Sequence, residues 1–271
     1  MFENALPFVW DIKDSRVVAT KNNVKTDYRD CISDLVSDCN VLAVRFDSIK
    51  NKKLKLNIEV GATFPSRSAH SYFNHSELKQ IKKNMGFFSH LWLFKRLKPW
   101  AALAYYSHKL DKRLKLKKIK MDKHFLEESY KQGKEIKELI SGKEFVDVLL
   151  SLDDYAIADS IKETLFEPIK NIRKRDEEAC QLYESGDLGA IERMVKSSGK
   201  RKLFDVASEK LNQLTYERIR PIIDKEKALF VIDVQSCPYF IEQFEDDGYS
   251  ISMIEKAEPA YATGPEKTKI A

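Results

Sequence analysis

The sequence predicts a mixed α/β fold in which strands from both ends of the chain share one central sheet and a large helical insertion separates them. Three observations predict it. Short apolar or alternating runs bounded by turn residues stand near each end, and the stretch between them follows helical periodicity broken by Pro and Gly. With 271 residues, 43% hydrophobic and 11% aromatic, the chain has enough apolar side chain for a buried core.

From the N-terminus, Phe8 to Ile12 and Arg16 to Ala19 read as strands joined by a turn at Asp14-Ser15. Asp27 to Asp38 places Ile32, Leu35, Val36 and Cys39 at helical spacing, so Cys39 is expected in helix core. The apolar run Val41 to Phe46 is a buried strand. Leu54 to Val60 alternates apolar with polar residues, as a strand with one wet face does.

The middle is helical. Helices are predicted at Ser76 to Asn84, around Ser89 to Leu110 with a start or kink at Pro99, at Lys123 to Lys131, and repeatedly between Lys143 and Lys196 with Pro168 and Gly186 as breaks. A helix from Asp205 to Lys225 precedes a buried strand at Ala228 to Val234, a short helix near Phe240 and an alternating strand at Ser250 to Ile254. The expected organisation is one domain over 1–271. In it, 1–64 and 226–256 form the sheet core, 65–225 the mainly helical part, and 257–271 a flexible tail.

Composition excludes several function classes. Lys and Arg total 47 against 42 acids and are scattered, so the net charge of +5 does not imply nucleic acid. The densest basic run holds Lys112, Arg113, Lys115, Lys117, Lys118 and Lys120 interleaved with Leu114, Leu116, Ile119 and Met121. It reads as the solvated face of a half-buried element, with an acidic partner or anionic membrane surface as the alternative binding role. No stretch approaches the ~20 apolar residues of a membrane span. The opening residues lack a secretory leader, so the chain is expected in the cytoplasm if Met1 is native, or exported after leader removal.

The four cysteines have no zinc spacing. All five histidines, His70, His75, His90, His108 and His124, fall in the middle segment and read as surface or partly packed groups. Gly61-Ala62-Thr63 is not a phosphate loop, and there is no Gly-x-Ser-x-Gly elbow. Cys237, directly after a buried strand, is more simply structural than nucleophilic. The acidic group Glu242, Glu245, Asp246 and Asp247 is expected on a solvated helix face.

A set of landmarks along nearly the whole chain resembles the TraB/GumN family, also called the TIKI family. Phe8-Val9-Trp10-Asp11-Ile12 is similar to its opening strand, and Asn40-Val41-Leu42-Ala43-Val44 to its third. Leu97-Lys98-Pro99-Trp100-Ala101-Ala102 resembles its Lys-Pro-Trp helix start, and Met121-Asp122-Lys123-His124-Phe125-Leu126 its Asp-containing helix. Tyr183-Glu184-Ser185-Gly186-Asp187-Leu188 looks like its Gly-Asp turn. Leu229-Phe230-Val231-Ile232 and Asp247-Gly248-Tyr249-Ser250-Ile251 resemble its closing strand and Gly-Tyr partner. The fold so implied is of the TIKI type, similar to EreA and ChaN, and the source so implied is bacterial.

The family carries two Gly-x-x-His motifs and a strand-end Glu, whose side chains converge on a divalent metal that activates water. At the corresponding places this chain has Ala19-Thr20-Lys21-Asn22 and Asp233-Val234-Gln235-Ser236, and Arg45 where the carboxylate belongs. The family's later Leu-Glu pair falls at Leu139-Ile140, and its Arg-Asn helix signature near Glu209-Lys210-Leu211-Asn212. His124 with Asp122 is the best exception among the histidines, because this Asp matches a family position; the alternative is that Asp122 only fixes the helix start as an N-cap.

If Arg45 points inward, a fixed cation ~4 Å from a divalent ion costs on the order of 8 kcal/mol at an effective dielectric near 20. If it snorkels to solvent, only the missing ligands argue against metal. The degenerate positions are thus Ala19, Thr20, Lys21, Asn22, Arg45, Asp233, Gln235 and Ser236. The resemblance therefore implies a scaffold without catalytic residues, metal or cofactor: a non-catalytic binding or regulatory protein with a protein partner. The alternative is a hydrolase of the family's metal-dependent type with an altered active site, using Lys21, Arg45, Asp233 or Cys237.

Overall fold

The computed structural model describes residues 6, 8–21, 26, 28–47, 69–86, 91–114, 121–197 and 202–253. Among these residues the sheet has six strands, in the order β4-β3-β5-β2-β1-β6. β1 (Val9–Ile12) and β2 (Ser15–Thr20) form an antiparallel hairpin, with Val9 opposite Val18 and Ile12 opposite Ser15. The turn falls on Lys13 and Asp14, one residue earlier than the sequence suggests, with Lys13 in the left-handed region at φ 52°. Ser15 is needed as the first residue of β2: its buried hydroxyl donates to the Glu226 carbonyl at 2.9 Å and accepts the Ala228 N–H at 3.1 Å.

Parallel pairing begins at β2. β5 (Ala228–Asp233) runs parallel to it with Thr20 opposite Asp233, and β3 (Val41–Val44) runs parallel to β5 with Val44 opposite Val231. β3, and β5 up to its last residue Asp233, are apolar because strands covered on both faces have no wet side to fill with polar residues. β6 (Ile251–Met253) pairs antiparallel with β1 and closes the far edge.

The other edge is β4 (Glu135–Glu138), parallel to β3, which the sequence reading missed inside the segment taken as helical. Its residues are Glu-Ile-Lys-Glu and all are at least partly exposed. An edge strand covered so little carries no apolar run, and its charges also guard the open edge.

Helix α1 (Arg29–Ser37) buries Ile32, Leu35 and Val36. Cys39 is buried as expected but lies just beyond that helix, its thiol donating to the Val36 carbonyl at 3.3 Å. Helices α2 (His75–Met85), α3 (Leu91–Arg96) and α4 (Pro99–Leu114) follow. As expected of a residue without an N–H, Pro99 opens α4. Next come α5 (Met121–Lys131), α6 (Gly142–Leu150), α7 (Asp154–Leu165), α8 (Ile169–Ser185), α9 (Leu188–Ser197) and α10 (Lys202–Ile223). Pro168 precedes α8, and Gly186 ends it in the left-handed conformation at φ 78°, where a Cβ would be strained. Helix α11 (Cys237–Asp246) leads from β5 toward β6.

Among the described residues three apolar clusters result, the smallest around Ile140, Val148, Ala207 and Leu211. The largest wraps the sheet, with Phe8, Val18, Leu42, Leu229 and Phe230 fully buried against Met121, Phe125, Tyr183, Ile219 and Phe240. The second joins α2, α3, α4 and α7 through Ile81, Phe94, Ala102, Tyr106, Ile161 and Leu165. The expected strand at Leu54 to Val60 and the 257–271 tail lie outside the described residues.

Candidate strand-end site

The carboxyl ends of parallel strands are where open α/β sheets place ligands, because backbone ladders end there and side chains converge. Here β2, β3 and β5 end at Thr20, Val44 and Asp233. Arg45, one residue past β3, is held in line with the sheet because its carbonyl accepts the Ile140 N–H at 3.1 Å, next to the Leu139 N–H to Val44 carbonyl bond at 2.9 Å.

The Arg45 side chain does not snorkel. Its Nη2 donates to Asn212 Oδ1 at 2.5 Å and to Ser236 Oγ at 3.4 Å, and its Nε is buried with no acceptor. Burial pushes the guanidinium pKa down, while the charges of Asp233 and then Asp122 pull it up. Arg45 is therefore a partly desolvated cation facing two carboxylates from separate elements. An arginine remains charged under such a shift because its ordinary pKa is so high.

Asp122 corrects the N-cap expectation. It is the second residue of α5, not its cap, and its carboxyl lies across the sheet end, with Thr20 Oγ1 2.5 Å from Asp122 Oδ1 and 3.1 Å from the Ile232 carbonyl. Asp122 keeps solvent access on one side, yet the protein packed round it pushes its carboxyl pKa up. The Thr20 bond and the Arg45 charge oppose that rise, and Asp233 adds to it.

The remaining sequence-selected positions divide into scaffold and rim. Ala19 is fully buried in β2; its N–H donates to the Phe8 carbonyl and its own carbonyl accepts the Tyr183 hydroxyl at 2.9 Å. It presents no polar side chain. Asp233 is exposed, and its Oδ1 accepts the N–H of exposed Gln235 at 2.8 Å, forming the turn that carries Ser236 inward to Arg45. Lys21 follows Thr20 and is half-buried, whereas Asn22 lies outside the described residues.

Cys237 is wholly buried, and burial followed by the Asp233 charge pushes its thiol well up, so it is the opposite of an activated nucleophile. All four cysteines are free thiols. Of the described histidines, His124 is half-buried and beside Glu127, and His70, His75 and His108 are exposed; none of these four joins the strand-end group, and His90 lies outside the described residues. Among the described residues no three His, Cys, Asp or Glu side chains are placed to hold a metal.

Two members of this group were not selected as site residues from the sequence. The resemblance marks Asp122 either as a partner of His124 or as a helix N-cap, and Asn212 as part of a helix signature. Their recruitment depends on α5 and α10 both passing the strand ends. Asn212 is buried at 5% exposure on α10, where a polar residue inside an apolar helix face was the available signal.

Elsewhere, Lys112 and Arg113 of the basic run are exposed at the end of α4, and Arg113 donates to the carbonyls of Lys83 and Asn84. Lys115, Lys117, Lys118 and Lys120 lie outside the described residues. The acidic group Glu242, Glu245, Asp246 and Asp247 is exposed as expected, and Asp247, just past α11, also accepts the Tyr216 hydroxyl at 2.6 Å and pairs with Arg220 Nε at 3.1 Å. Among the described residues no helix is long and apolar enough to cross a membrane.

In comparison with known proteins, the model of the TraB/PrgY/gumN family matches residues 21–253. No curated protein and no solved structure matches.

Proposed function

Because the chain belongs to the TraB/PrgY/gumN family, we propose that it is a non-catalytic binding or regulatory protein built on that family's scaffold. The observation that carries this reading is Arg45, anchored on Asn212 and Ser236 at the strand ends. Its guanidinium supplies a fixed positive charge toward Asp122 and Asp233, the two carboxylates that a cation would otherwise be expected to use. The donor set does not suit a divalent metal: among the described residues no histidine joins it, and any metal ion there is repelled by Arg45.

The site then works by binding. Asp233, Gln235 and the open side of Asp122 face solvent, while Thr20, Asn212 and Ser236 hold the polar floor. The chain is proposed to act as one domain over 1–271, of bacterial origin, with a protein as its partner. A sheet whose strands come from both ends of the chain supports the single domain.

A hydrolase with an altered site is the second reading, favoured by one observation. Asp122, at the end of β2, has its carboxyl pKa pushed up by the protein packed round it, as a group poised to carry a proton does.

Calorimetric titration of the purified chain with Mn²⁺ and Zn²⁺ tests the first reading. The expected result is no stoichiometric binding, and one ion per chain that disappears in Asp122→Asn and Asp233→Asn sinks it. Hydrolytic activity lost in both Arg45→Ala and Asp233→Ala, with folding intact, establishes the second reading instead.

A further inference from the structure

A cavity of about 320 Å³ opens in the helical part, on elements other than those of the strand-end group. That volume is at the small end of the range for small-molecule sites. It is lined by Tyr72, Lys98, Trp100, Asp153, Asp154 and Tyr155, with leucines completing the wall. Fold stability does not explain this lining. Tyr155 is 60% exposed although it stands edge-on to Tyr72 at 5.0 Å between ring centres, and such aromatic surface is normally covered. Trp100 is 93% buried, yet its indole Nε1–H is buried with no acceptor.

The polar groups specify what fits. Asp153 caps α7, its Oδ1 accepting the Tyr155 N–H at 3.1 Å, and Asp154 Oδ2 accepts the Tyr72 hydroxyl at 3.2 Å. A carboxylate offers about four lone-pair sites, so both can accept further donors. Two carboxylates beside two tyrosine rings are a setting for an ammonium group, which gains from both Coulomb attraction and the ring faces. Lys98 and the N-terminus of α4, where Trp100 lies, supply positive potential instead. A simple cation is opposed by Lys98. A simple anion is opposed by Asp153 and Asp154.

We propose that this cavity binds a small zwitterion, its ammonium against Tyr72, Tyr155 and the two aspartates, and its carboxylate at Lys98. The ligand class is that of free amino acids and betaines.

Isothermal titration of the full chain with glycine betaine, and with tetramethylammonium and acetate as its two halves, tests this. The expected result is saturable one-site binding of betaine, with each half bound at least about tenfold more weakly. Tyr155→Ala and Asp154→Asn, both at accessible positions, are each expected to weaken betaine binding roughly tenfold while the thermal midpoint stays near the parent's. The proposal is overturned by tetramethylammonium binding as tightly as betaine, by unchanged affinity in both variants, or by no saturation up to the ~10 mM range.

Discussion

Arg45 Nη2 donates to Asn212 Oδ1 at 2.5 Å, a bond between residues 167 positions apart that ties the end of β3 to the middle of α10. It fixes an arginine where a solvent-directed side chain would leave the strand ends open. The buried amide of Asn212 in turn depends on that guanidinium as its donor.

Arg45→Met removes the donor while keeping the length of the side chain. The expected loss is about 1–3 kcal/mol, the usual penalty for orphaning a buried acceptor. Asn212→Leu alone should also destabilise, since it strips the guanidinium of its closest partner. The double variant is expected to lose less than the sum, and urea denaturation of all four chains measures the coupling. Additivity would show that the two side chains do not act as a pair.

Asp122 is a carboxyl whose folded pKa is raised above its ordinary value of 3.8, chiefly by burial. A raised pKa means that the folded state holds the proton more tightly, so this group's contribution is fully present below 3.8 and lost as pH rises through the folded pKa. Asp122→Asn imitates the protonated form: its amide donates to Thr20 Oγ1, and the single Thr20 proton is left for the Ile232 carbonyl. The variant should therefore melt higher than the parent at pH 7, with the difference vanishing below pH 3.8. Thermal melts across that range check it, and a lower midpoint at pH 7 would count against it.

Glu144 works in the opposite direction. Hydrogen bonds from Arg218 and then Ser141 hold its pKa down to about 2. Glu144 completes the capping box of α6 with Ser141, while Arg218 of α10 also donates to the Leu139 carbonyl at 2.6 Å. Its stabilisation is present above the ordinary 4.5 and fades as pH falls toward about 2. Because both side chains are about a third or more exposed, solvent screens the pair, and Glu144→Gln should cost only about 1 kcal/mol at pH 7. Denaturant titrations at pH 7 and near pH 2 should show that difference shrinking.

Asn84 is the polar pin of the helical cluster. At 3% exposure, its Nδ2 donates to the Leu165 carbonyl at 2.7 Å and lies 2.9 Å from the Tyr106 hydroxyl, joining α2 to α7 and α4. Asn84→Ala leaves the last carbonyl of α7 without this donor and is expected to cost about 1–3 kcal/mol. Hydrogen exchange should quicken in α2, α4 and α7 while β3 and β5 keep their protection. Uniform acceleration across the sheet would show instead that the two clusters unfold as one.

The sequence by itself determined the elements that local chemistry controls. Apolar runs made β2, β3 and β5 visible, and Pro99, Pro168 and Gly186 marked helix ends because ring closure and the left-handed region constrain the backbone there. It also held the family resemblance that the match over residues 21–253 bears out. Tertiary structure decided what no local pattern encodes. The strand β4 owes its existence to the open edge of β3, not to its own charged residues. Whether Arg45 pointed to water or inward depended on Asn212 and Ser236 arriving from α10 and the end of β5. Asp122 became a site residue only because α5 crosses the end of β2. Burial and long-range pairing set these outcomes, and both depend on which distant elements share a volume once the chain has folded.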